Sequence, residues 1–239
     1  MRSKQPATRD QKRALEIVRV LKRAYPGAKC SLDYSTPYQL LVSTILSAQC
    51  TDERVNKVTP ALFRRFPDAR AMAKADLEAI EQLVKTTGFY KSKALSLSES
   101  ARAIAERHGG EVPRDLEALV KLRGVGRKTA NVVLGNAFGK PEGVVVDTHV
   151  GRLSRRLGLT KQTDPVKVEH ELAAIVPKKE WTMFSHLLIH HGRARCMARN
   201  PDCVGCEISE LCPKIGVMLK TRPRKIAYDE LKSEPWKGK

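Results

Sequence analysis

Apolar residues recur along this chain at intervals of three and four positions, the spacing that places them on one face of an α-helix. Ala14, Ile17, Val18 and Leu21 show the pattern near the N-terminus. Further segments with helical patterning are PYQLLVSTILSAQ, DERVNKVTPALFRRF, KADLEAIEQLVKTTG, KSKALSLSESARAIAERHGG, VPRDLEALVKL, RKTANVVLGNAFG, VVVDTHVGRLSRRLG, DPVKVEHELAAIVP and WTMFSHLLIHHG. Only residues 143–146 indicate extended chain. The pattern predicts an all-α fold with short connections and no internal sequence repeat.

The charge of the chain points to a polyanionic partner. The chain has 239 residues, enough for one large domain or two smaller ones, and a formal net charge of +18. Because its basic residues are spread along the whole chain, we expect a folded basic surface that binds nucleic acid, with a membrane surface as the second candidate. No long uncharged apolar run is present to span a bilayer. Aromatic residues make up 5% of the chain, so contacts to duplex phosphates are favoured over base stacking on single strands.

The N-terminal stretch, residues 1–14, lacks the apolar core of a secretory signal. We interpret it as a short disordered arm, with a weak organellar presequence as the alternative. Export of the chain is therefore not expected.

Four of the six cysteines are close together in the sequence CMARNPDCVGCEISELCP. With six, two and five residues between them, they are Cys196, Cys203, Cys206 and Cys212. Four thiolates in one short loop can surround a single metal centre, and a chain without a secretory signal is not expected to form disulfides. Zinc sites usually have two cysteine pairs separated by about a dozen residues or more, so this compact spacing favours a 4Fe–4S cluster while leaving zinc open. The isolated Cys30 and Cys50 are expected to be small buried hydrophobes.

Basic residues are frequent around the cysteine loop. Four of them are Arg193, Arg195, Arg199 and Lys214. They either offset the charge of the thiolates or contact phosphates, and the sequence leaves both roles open. His186 and His190 stand four positions apart, a spacing that can bind zinc on a helix. Neither a glutamate general base nor a third ligand accompanies them, so we interpret them as structural histidines near the metal loop.

A Gly-Val-Gly turn between two predicted helices has the form of a tight helical hairpin. Gly124 and Gly126 permit backbone geometry and close approach that other residues do not. The helix that follows would point its free N–H groups outward as an anion site, next to Arg127 and Lys128. The hairpin is therefore predicted to hold a DNA backbone.

Lys128 has a second interpretation besides a phosphate contact. At a helix N-terminus the helix dipole disfavours an ammonium ion and so favours a free amine, which can act as a nucleophile and form a Schiff base. Such chemistry also needs a carboxylate, which Asp147 can supply after three valines. Asp147 is equally placed to cap the helix that begins near Thr148. The two roles of the aspartate are compatible.

The segments GVGRKTANVV, VDTH and LSAQCTD, together with the four-cysteine loop, resemble the endonuclease III family, bifunctional DNA glycosylases and abasic-site lyases of the helix–hairpin–helix superfamily. The resemblance runs in order from about residue 10 to residue 215 and leaves out a short N-terminal arm and the C-terminal tail. It implies a 4Fe–4S cluster on the four cysteines rather than zinc, with a mainly structural role that aids DNA contact.

The resemblance implies two helical domains that flank a DNA-binding cleft. Residues 33–142 would form a six-helix domain containing the helix–hairpin–helix at about residues 116–135. Residues 1–32 and 143–215 would form a discontinuous iron–sulfur cluster domain, followed by a C-terminal tail at residues 216–239. The expected state is a monomer in the bacterial cytoplasm, associated with the nucleoid.

The resemblance also implies residue roles. Lys128 matches the nucleophile of the family and Asp147 its essential carboxylate. Gln49 matches the residue that fills the space left by a flipped base, and Phe89 falls at a wedge position where relatives often carry leucine. The expected DNA-binding set also includes Gly124, Gly126, Arg127, Arg193 and Arg199. Arg123 departs from the family pattern, which commonly has proline there, and we expect the turn to survive with added positive charge near the phosphates.

The expected function is base excision repair of double-stranded DNA. The enzyme would flip and excise an oxidised pyrimidine, then nick the abasic site by β-elimination through a Schiff base on Lys128. A monofunctional glycosylase is the nearest alternative. The adenine-mismatch branch, however, needs a glutamate at the position where this chain has Thr44, and that branch lacks the lysine that this chain has at Lys128. A non-catalytic DNA-binding module is the alternative from another class, and the presence of both Lys128 and Asp147 speaks against it.

Overall fold

The computed structural model describes residues 8–218, which form eleven α-helices and no strand. The helices are α1 (Arg9–Ala24), α2 (Pro37–Leu46), α3 (Asp52–Arg65), α4 (Ala69–Ala73), α5 (Leu77–Val84), α6 (Tyr90–Arg107), α7 (Leu116–Val120), α8 (Arg127–Ala137), α9 (Thr148–Arg156), α10 (Pro165–Ile175) and α11 (Trp181–Ala194). Short 3-10 turns occupy Lys85–Thr87, Lys178–Glu180 and Ser209–Leu211. The all-α prediction is confirmed, and residues 143–146, where the sequence hinted at extended chain, form neither helix nor strand. The prediction of a disordered arm at residues 1–14 was wrong for Arg9 to Ala14, which belong to α1 because Thr8 caps that helix and Ala14 is buried in a core. Residues 1–7 of the arm and residues 219–239 of the tail lie outside the described residues.

Side-chain caps determine where most of these helices begin. A threonine or aspartate accepts a hydrogen bond from the first turn of each of α1, α2, α3, α4, α5, α7, α9 and α10. Such caps satisfy N–H groups that have no partner within the helix. The cap of α4, Asp68, stabilises a short helix that apolar spacing did not predict. Among the helices that lack a side-chain cap are α6, which follows Phe89, and α8, which follows Gly126.

The helices pack around two separate hydrophobic cores. The first core consists of buried side chains from Leu32 to Leu134. The second combines α1, including Ile17 and Leu21, with buried side chains from Val144 to Ile208. Each fully buried leucine or isoleucine contributes roughly 1.5–3 kcal/mol through its removal from water. The two cores support the proposed division into two domains. Leu32 is an exception, because the predicted boundary assigned it to the cluster domain and it packs in the first core.

A helix that crosses a bilayer needs about 20 mostly apolar residues. None of the helices described in residues 8–218 has both that length and that apolar character.

Candidate active site and cysteine loop

An open cavity of about 730 Å³ is lined by residues that border both cores. Its walls include Cys30, Ser31, Leu32, Thr44, Ser47, Asp52, Lys128, Val132, Asn136, Val145, Asp147, Thr182, Ser185, His186, Ile189 and Arg193. Lys128 enters from the first turn of α8, and Asp147 from the residue before α9. The fold therefore brings the predicted amine and carboxylate into one cavity, which is hereafter called the cleft.

The hairpin that carries Lys128 depends on its first glycine. Gly124 has a φ of +76°, and a Cβ added there would lie 2.9 Å from the Cβ of Ser96 on α6. Only glycine combines that backbone conformation with that close packing. Gly126 differs, because its φ is −87° and a Cβ would meet nothing within 4 Å. The fold therefore requires Gly124, whereas the side of Gly126 is open to an incoming molecule.

The start of α8 offers unpartnered donors next to an exposed lysine. Gly126 has no side chain to cap the helix, and the first N–H groups of α8 donate to no capping side chain among the described residues. Lys128 is exposed in this first turn. Free N–H groups at a helix N-terminus attract anions through both hydrogen bonding and the helix dipole. This geometry suits the phosphate contact that the sequence predicted.

Asp147 caps α9, which confirms the capping role predicted from the sequence. One carboxylate oxygen, Oδ1, accepts a hydrogen bond of 2.8 Å from the N–H of Val150. The second oxygen accepts no hydrogen bond from the described residues. The aspartate is half-buried in the wall of the cleft. The cap thus holds the carboxylate at the cleft while leaving one oxygen free for chemistry.

Arg127 has a partner inside the protein. Its Nε and Nη2 atoms donate to the carboxylate of Glu169 on α10 at 2.9–3.1 Å, and Asn131 donates to the same carboxylate at 3.3 Å. Glu169 is buried, and its hydrogen bond raises the pKa of Arg127. Arg127 therefore connects α8 to α10, and its expected contact with DNA stays a prediction.

The other arginines expected to bind DNA differ in their surroundings. Arg193 belongs to the cleft, where it donates to Asp52 at 2.8 Å and to Ser31 at 3.0 Å. Arg199 is exposed and forms no ion pair or hydrogen bond with the described residues. Arg123, in the position before the Gly-Val-Gly turn, lies 3.2 Å from Glu99, which offsets part of the positive charge expected there.

The two residues expected to insert into DNA share an uncommon backbone conformation. Gln49 has a φ of 52° and Phe89 a φ of 48°, in the left-handed region that non-glycine residues rarely adopt. Both are exposed, and 69% of the Phe89 surface is accessible to solvent. Left-handed residues of this kind are most frequent at functional sites. Their insertion role stays a prediction.

The histidines are placed differently from the sequence interpretation. His186 lines the cleft and pairs through Nε2 with Oδ1 of Asn136 at 2.7 Å, while His190 lies 3.4 Å from the carbonyl of Lys29. Burial lowers the pKa of His186 to about 4, so it is neutral at physiological pH. The histidine that contacts the cysteine loop is His191, which the pattern did not indicate. The prediction that His186 lies near the metal loop was wrong, because α11 directs its side chain toward the cleft.

The four predicted metal ligands line a single cavity. They are Cys196, Cys203, Cys206 and Cys212. Two sulfurs accept hydrogen bonds, since Arg156 Nη1 is 3.2 Å from Cys196 Sγ and the N–H of Lys214 is 3.3 Å from Cys212 Sγ. Cys206 Sγ pairs with His191 Nε2 at 3.4 Å. Such donors stabilise thiolates that bind a metal. Burial raises the pKa of Cys206 to about 11, so this thiol stays protonated at neutral pH until a metal displaces the proton.

The spacing of the sulfurs bears on which metal they suit. Among the described residues, the three potential ligand atoms that lie within 4.8 Å of one another belong to His191, Cys206 and Glu207, not to three cysteines. A tetrahedral zinc ion holds thiolates at about 2.3 Å, which places their sulfurs within about 4 Å of one another. No three of the cysteine sulfurs in the described residues lie within 4.8 Å of one another. Four soft sulfur donors around one cavity are a donor set that fits an iron–sulfur cluster.

Comparisons with known proteins agree with this combination of hairpin, cleft and cysteine loop. Residues 42–178 match the HhH-GPD superfamily of base excision DNA repair proteins. Endonuclease III of Synechocystis sp. is 58% identical over 203 residues, which cover 85% of this chain and 93% of the relative. The chain belongs to the endonuclease III family. It is therefore a base excision DNA repair enzyme with glycosylase and lyase activity.

Two solved structures of endonuclease III have a fold similar to that of this endonuclease III family member. One is a non-covalent endonuclease III–DNA complex, and the other is a trapped covalent endonuclease III–DNA intermediate. Both are 40% identical to this chain with a TM-score of 0.79, and they cover 85% of it and 95% and 96% of their own chains. The similarity thus extends over nearly the whole length of the solved proteins.

Sequence reasoning missed several groups that support the cysteine loop of this endonuclease III family member. Arg152 donates to the carbonyl of Cys196 at 3.0 Å, and Arg156 to the carbonyls of Met197 at 2.7 Å and Ala198 at 3.0 Å. The two arginines lie four positions apart on α9 and so share one helix face. That spacing was visible in the sequence, but nothing local showed that the cysteine loop packs against this face.

Proposed function

We propose that this enzyme excises oxidised pyrimidines from double-stranded DNA and cleaves the resulting abasic site, with Lys128 as the nucleophile and Asp147 as the acid–base partner. The observation that carries the proposal is that both side chains line one cleft between the two cores. A damaged base reaches such a cleft only after rotating out of the helix, since the sugar carbon under attack is shielded inside the stack.

The proposed reaction begins at the sugar of the flipped nucleotide. The amine of Lys128 attacks C1′, the bond between C1′ and the base breaks, and the base leaves with the bonding electron pair and takes up a proton. The C1′–O4′ bond then breaks and O4′ takes up a proton, which opens the sugar and leaves a protonated imine between C1′ and the lysine nitrogen. The imine acidifies the proton on C2′. When a base removes that proton, the C3′–O bond breaks, the 3′ phosphate leaves with the bonding electron pair, and the strand is nicked on the 3′ side.

Asp147 is proposed to handle the proton that Lys128 releases. Its Oδ1 atom is engaged by the N–H of Val150, which fixes the carboxylate, and the other oxygen remains available. A fixed carboxylate can accept a proton or stabilise positive charge on the sugar without reorganising first. The cap of α9 and the proposed chemistry therefore use different oxygens of one side chain.

The four cysteines are proposed to hold a 4Fe–4S cluster. When bound, the cluster would cross-link the loop between α11 and the end of the described chain, a structural contribution. The donors from Arg156 and Lys214 suit sulfurs that carry negative charge. The side chains of Arg152 and Arg156 further tie the loop to α9.

Duplex DNA is proposed to bind along the hairpin and across the mouth of the cleft. The uncapped start of α8 would receive phosphates, Arg193 and Arg199 would add basic contacts, and Gln49 and Phe89 would occupy the space left by the flipped base. We further propose that the enzyme acts as a monomer in the bacterial cytoplasm, associated with the nucleoid. The two-domain division at residues 32 and 143 is part of this proposal, supported by the two cores.

Borohydride trapping tests the proposed nucleophile. Reduction of the imine during reaction with a duplex that contains an oxidised pyrimidine should yield a covalent protein–DNA adduct. Lys128→Gln should abolish the adduct while duplex affinity stays within about tenfold, because one phosphate contact among many is lost. Lys121→Gln, an equal loss of charge in the same hairpin, should trap normally. An adduct that persists in Lys128→Gln would show that another residue is the nucleophile.

A further inference from the structure

Lys93 is a buried lysine that the proposed chemistry does not use. It lies in the first turns of α6, and only 6% of its surface is exposed. Its amine forms no ion pair with the described residues and instead donates hydrogen bonds to the carbonyls of Leu46, at 2.8 Å, and Thr87, at 2.6 Å. Burying a charged group is unfavourable unless it is hydrogen-bonded. These two carbonyls therefore explain how the lysine can occupy this position.

The first carbonyl belongs to the end of α2. The last carbonyls of a helix have no partner within the helix and need one from elsewhere. In α2 the carbonyl of Ser43 accepts from the N–H of Ser47, and that of Ile45 accepts from the N–H of Ala48. Leu46, the last residue of α2, uses the amine of Lys93 instead. Lys93 therefore caps α2 just ahead of Gln49.

The second carbonyl belongs to the segment that leads to Phe89. Thr87 is buried, and it is followed by Gly88 with a φ of 70° and Phe89 with a φ of 48°. The N–H of Lys93 also donates to the carbonyl of Phe89 at 3.0 Å. The backbone is thus held on both sides of Gly88, and the exposed phenyl group projects from a fixed base.

We propose that Lys93 is a positioning residue that couples the two DNA-inserting side chains, Gln49 and Phe89, through a single ammonium group. It fixes the backbone that precedes each of them, and both residues are in the left-handed conformation that depends on such support. The coupling makes the two insertions one preorganised unit, so that neither segment has to be ordered separately when DNA binds. The inference rests on the proposed insertion of Gln49 and Phe89.

A mutant cycle separates positioning from general stability. Lys93→Met keeps an unbranched side chain but removes both hydrogen bonds, and excision of an oxidised pyrimidine should slow about tenfold or more. Nicking of a preformed abasic site should slow less, because no base has to be extruded. Lys91→Met, which removes an exposed charge from the same helix, is the matched control and should leave the single-turnover excision rate within about threefold.

The cycle is completed in the Gln49→Ala/Phe89→Ala background. If Lys93 acts through these two residues, adding Lys93→Met should slow excision by less than about threefold further. If it only supports the fold, the two losses should multiply, and that result would overturn the proposal. If Gln49→Ala/Phe89→Ala excises like the native enzyme, the insertion role itself is wrong and the Lys93 proposal is overturned with it. A native-like rate for Lys93→Met beside a slow Gln49→Ala/Phe89→Ala would overturn the Lys93 proposal alone.

Hydrogen exchange without DNA supplies a structural readout that is independent of activity. In Lys93→Met, amides in residues 47–51 and 88–92 should both exchange faster, while the hairpin at residues 122–127 should exchange as in the native protein. Faster exchange in only one of the two segments would contradict the coupling. If Lys93→Met does not fold, Lys93→Gln retains a shorter donor, and the same paired change in exchange is expected to be smaller.

Discussion

The guanidinium of Arg127 and the carboxylate of Glu169 form a hydrogen-bonded ion pair that connects the two cores. The pair joins α8, part of the first core, to α10, part of the second. Space around it is limited, since a Cβ at Gly143 would overlap the carboxylate of Glu169. Because Lys128 follows Arg127 directly, this ion pair also helps determine where the proposed nucleophile lies relative to Asp147.

Glu169→Gln should lower the free energy of unfolding by about 1–3 kcal/mol, since it removes the charge partner of Arg127 from a buried site. The lower end of that range is expected because the Arg127 side chain is 41% exposed and water compensates part of the loss. Urea unfolding measures the change. Glu142→Gln, which breaks the exposed pair with Lys178, is the control and should alter stability by no more than about 0.5 kcal/mol.

Asp147→Asn should separate the two roles of Asp147. Asparagine caps helices about as well as aspartate, so stability should stay within about 0.5 kcal/mol, while single-turnover excision should fall about a hundredfold with loss of the acid–base group. Asp147→Ala removes the cap as well and should lower stability by about 1 kcal/mol more. Unfolding and excision are measured on both variants. Equal activity of Asp147→Asn and the native enzyme would restrict the aspartate to capping.

Purified protein should contain about four irons per chain and show the yellow-brown absorbance of a 4Fe–4S cluster. Cys203→Ser should lose iron and soluble protein together, because the cluster cross-links the loop. Cys30→Ser, a change outside the loop, should keep its iron. Metal analysis of anaerobically prepared protein measures both outcomes, and stoichiometric zinc without iron would refute the cluster assignment.

His186 should make the native protein less stable in acid. Burial lowers the pKa of His186 from the usual 6.5 to about 4, so between these values the unfolded chain binds a proton that the folded protein does not. Stability is therefore full above pH 6.5 and is lost as the pH falls toward 4. From pH 7.5 to pH 5.5 this histidine should account for about 1.3 kcal/mol of lost stability.

His186→Gln removes the titrating group. Urea unfolding at pH 7.5 and pH 5.5 should therefore show a smaller loss of unfolding free energy in this variant than in the native protein. The exposed His170→Gln is the matched control and should follow the pH dependence of the native protein. If the loss of unfolding free energy between pH 7.5 and pH 5.5 is the same in His186→Gln and the native protein, His186 does not titrate in this range.

The fold class was predictable because its causes are local. Apolar spacing at three and four positions selects helices, and most begin at a threonine or aspartate whose cap reaches only two or three residues along the chain. Asp147 as the cap of α9 was foreseen for that reason. The short α4 was missed because its sequence, ARAMA, has only small alanines and one methionine as apolar residues, which show no helical period.

Candidate chemistry was predictable where the residue types and their spacing lie within one segment. The four cysteines fall within a single short loop, and Lys128 lies two positions after the Gly-Val-Gly turn, so both could be picked out before any fold was known. Their chemistry depends on thiolates and an amine, which the sequence specifies outright.

Only the tertiary structure decided which distant groups meet. Lys93 contacts the carbonyl of a residue 47 positions away, Arg127 pairs with one 42 positions away, and Arg193 with one 141 positions away. Such contacts depend on how helices pack, and helical periodicity reports which face of a helix is buried but not what it is buried against. For that reason the sequence by itself determined most of the helices and the candidates for the metal ligands and the nucleophile. Packing decided that Lys128 and Asp147 share a cleft and that Lys93 contacts the backbone ahead of both Gln49 and Phe89.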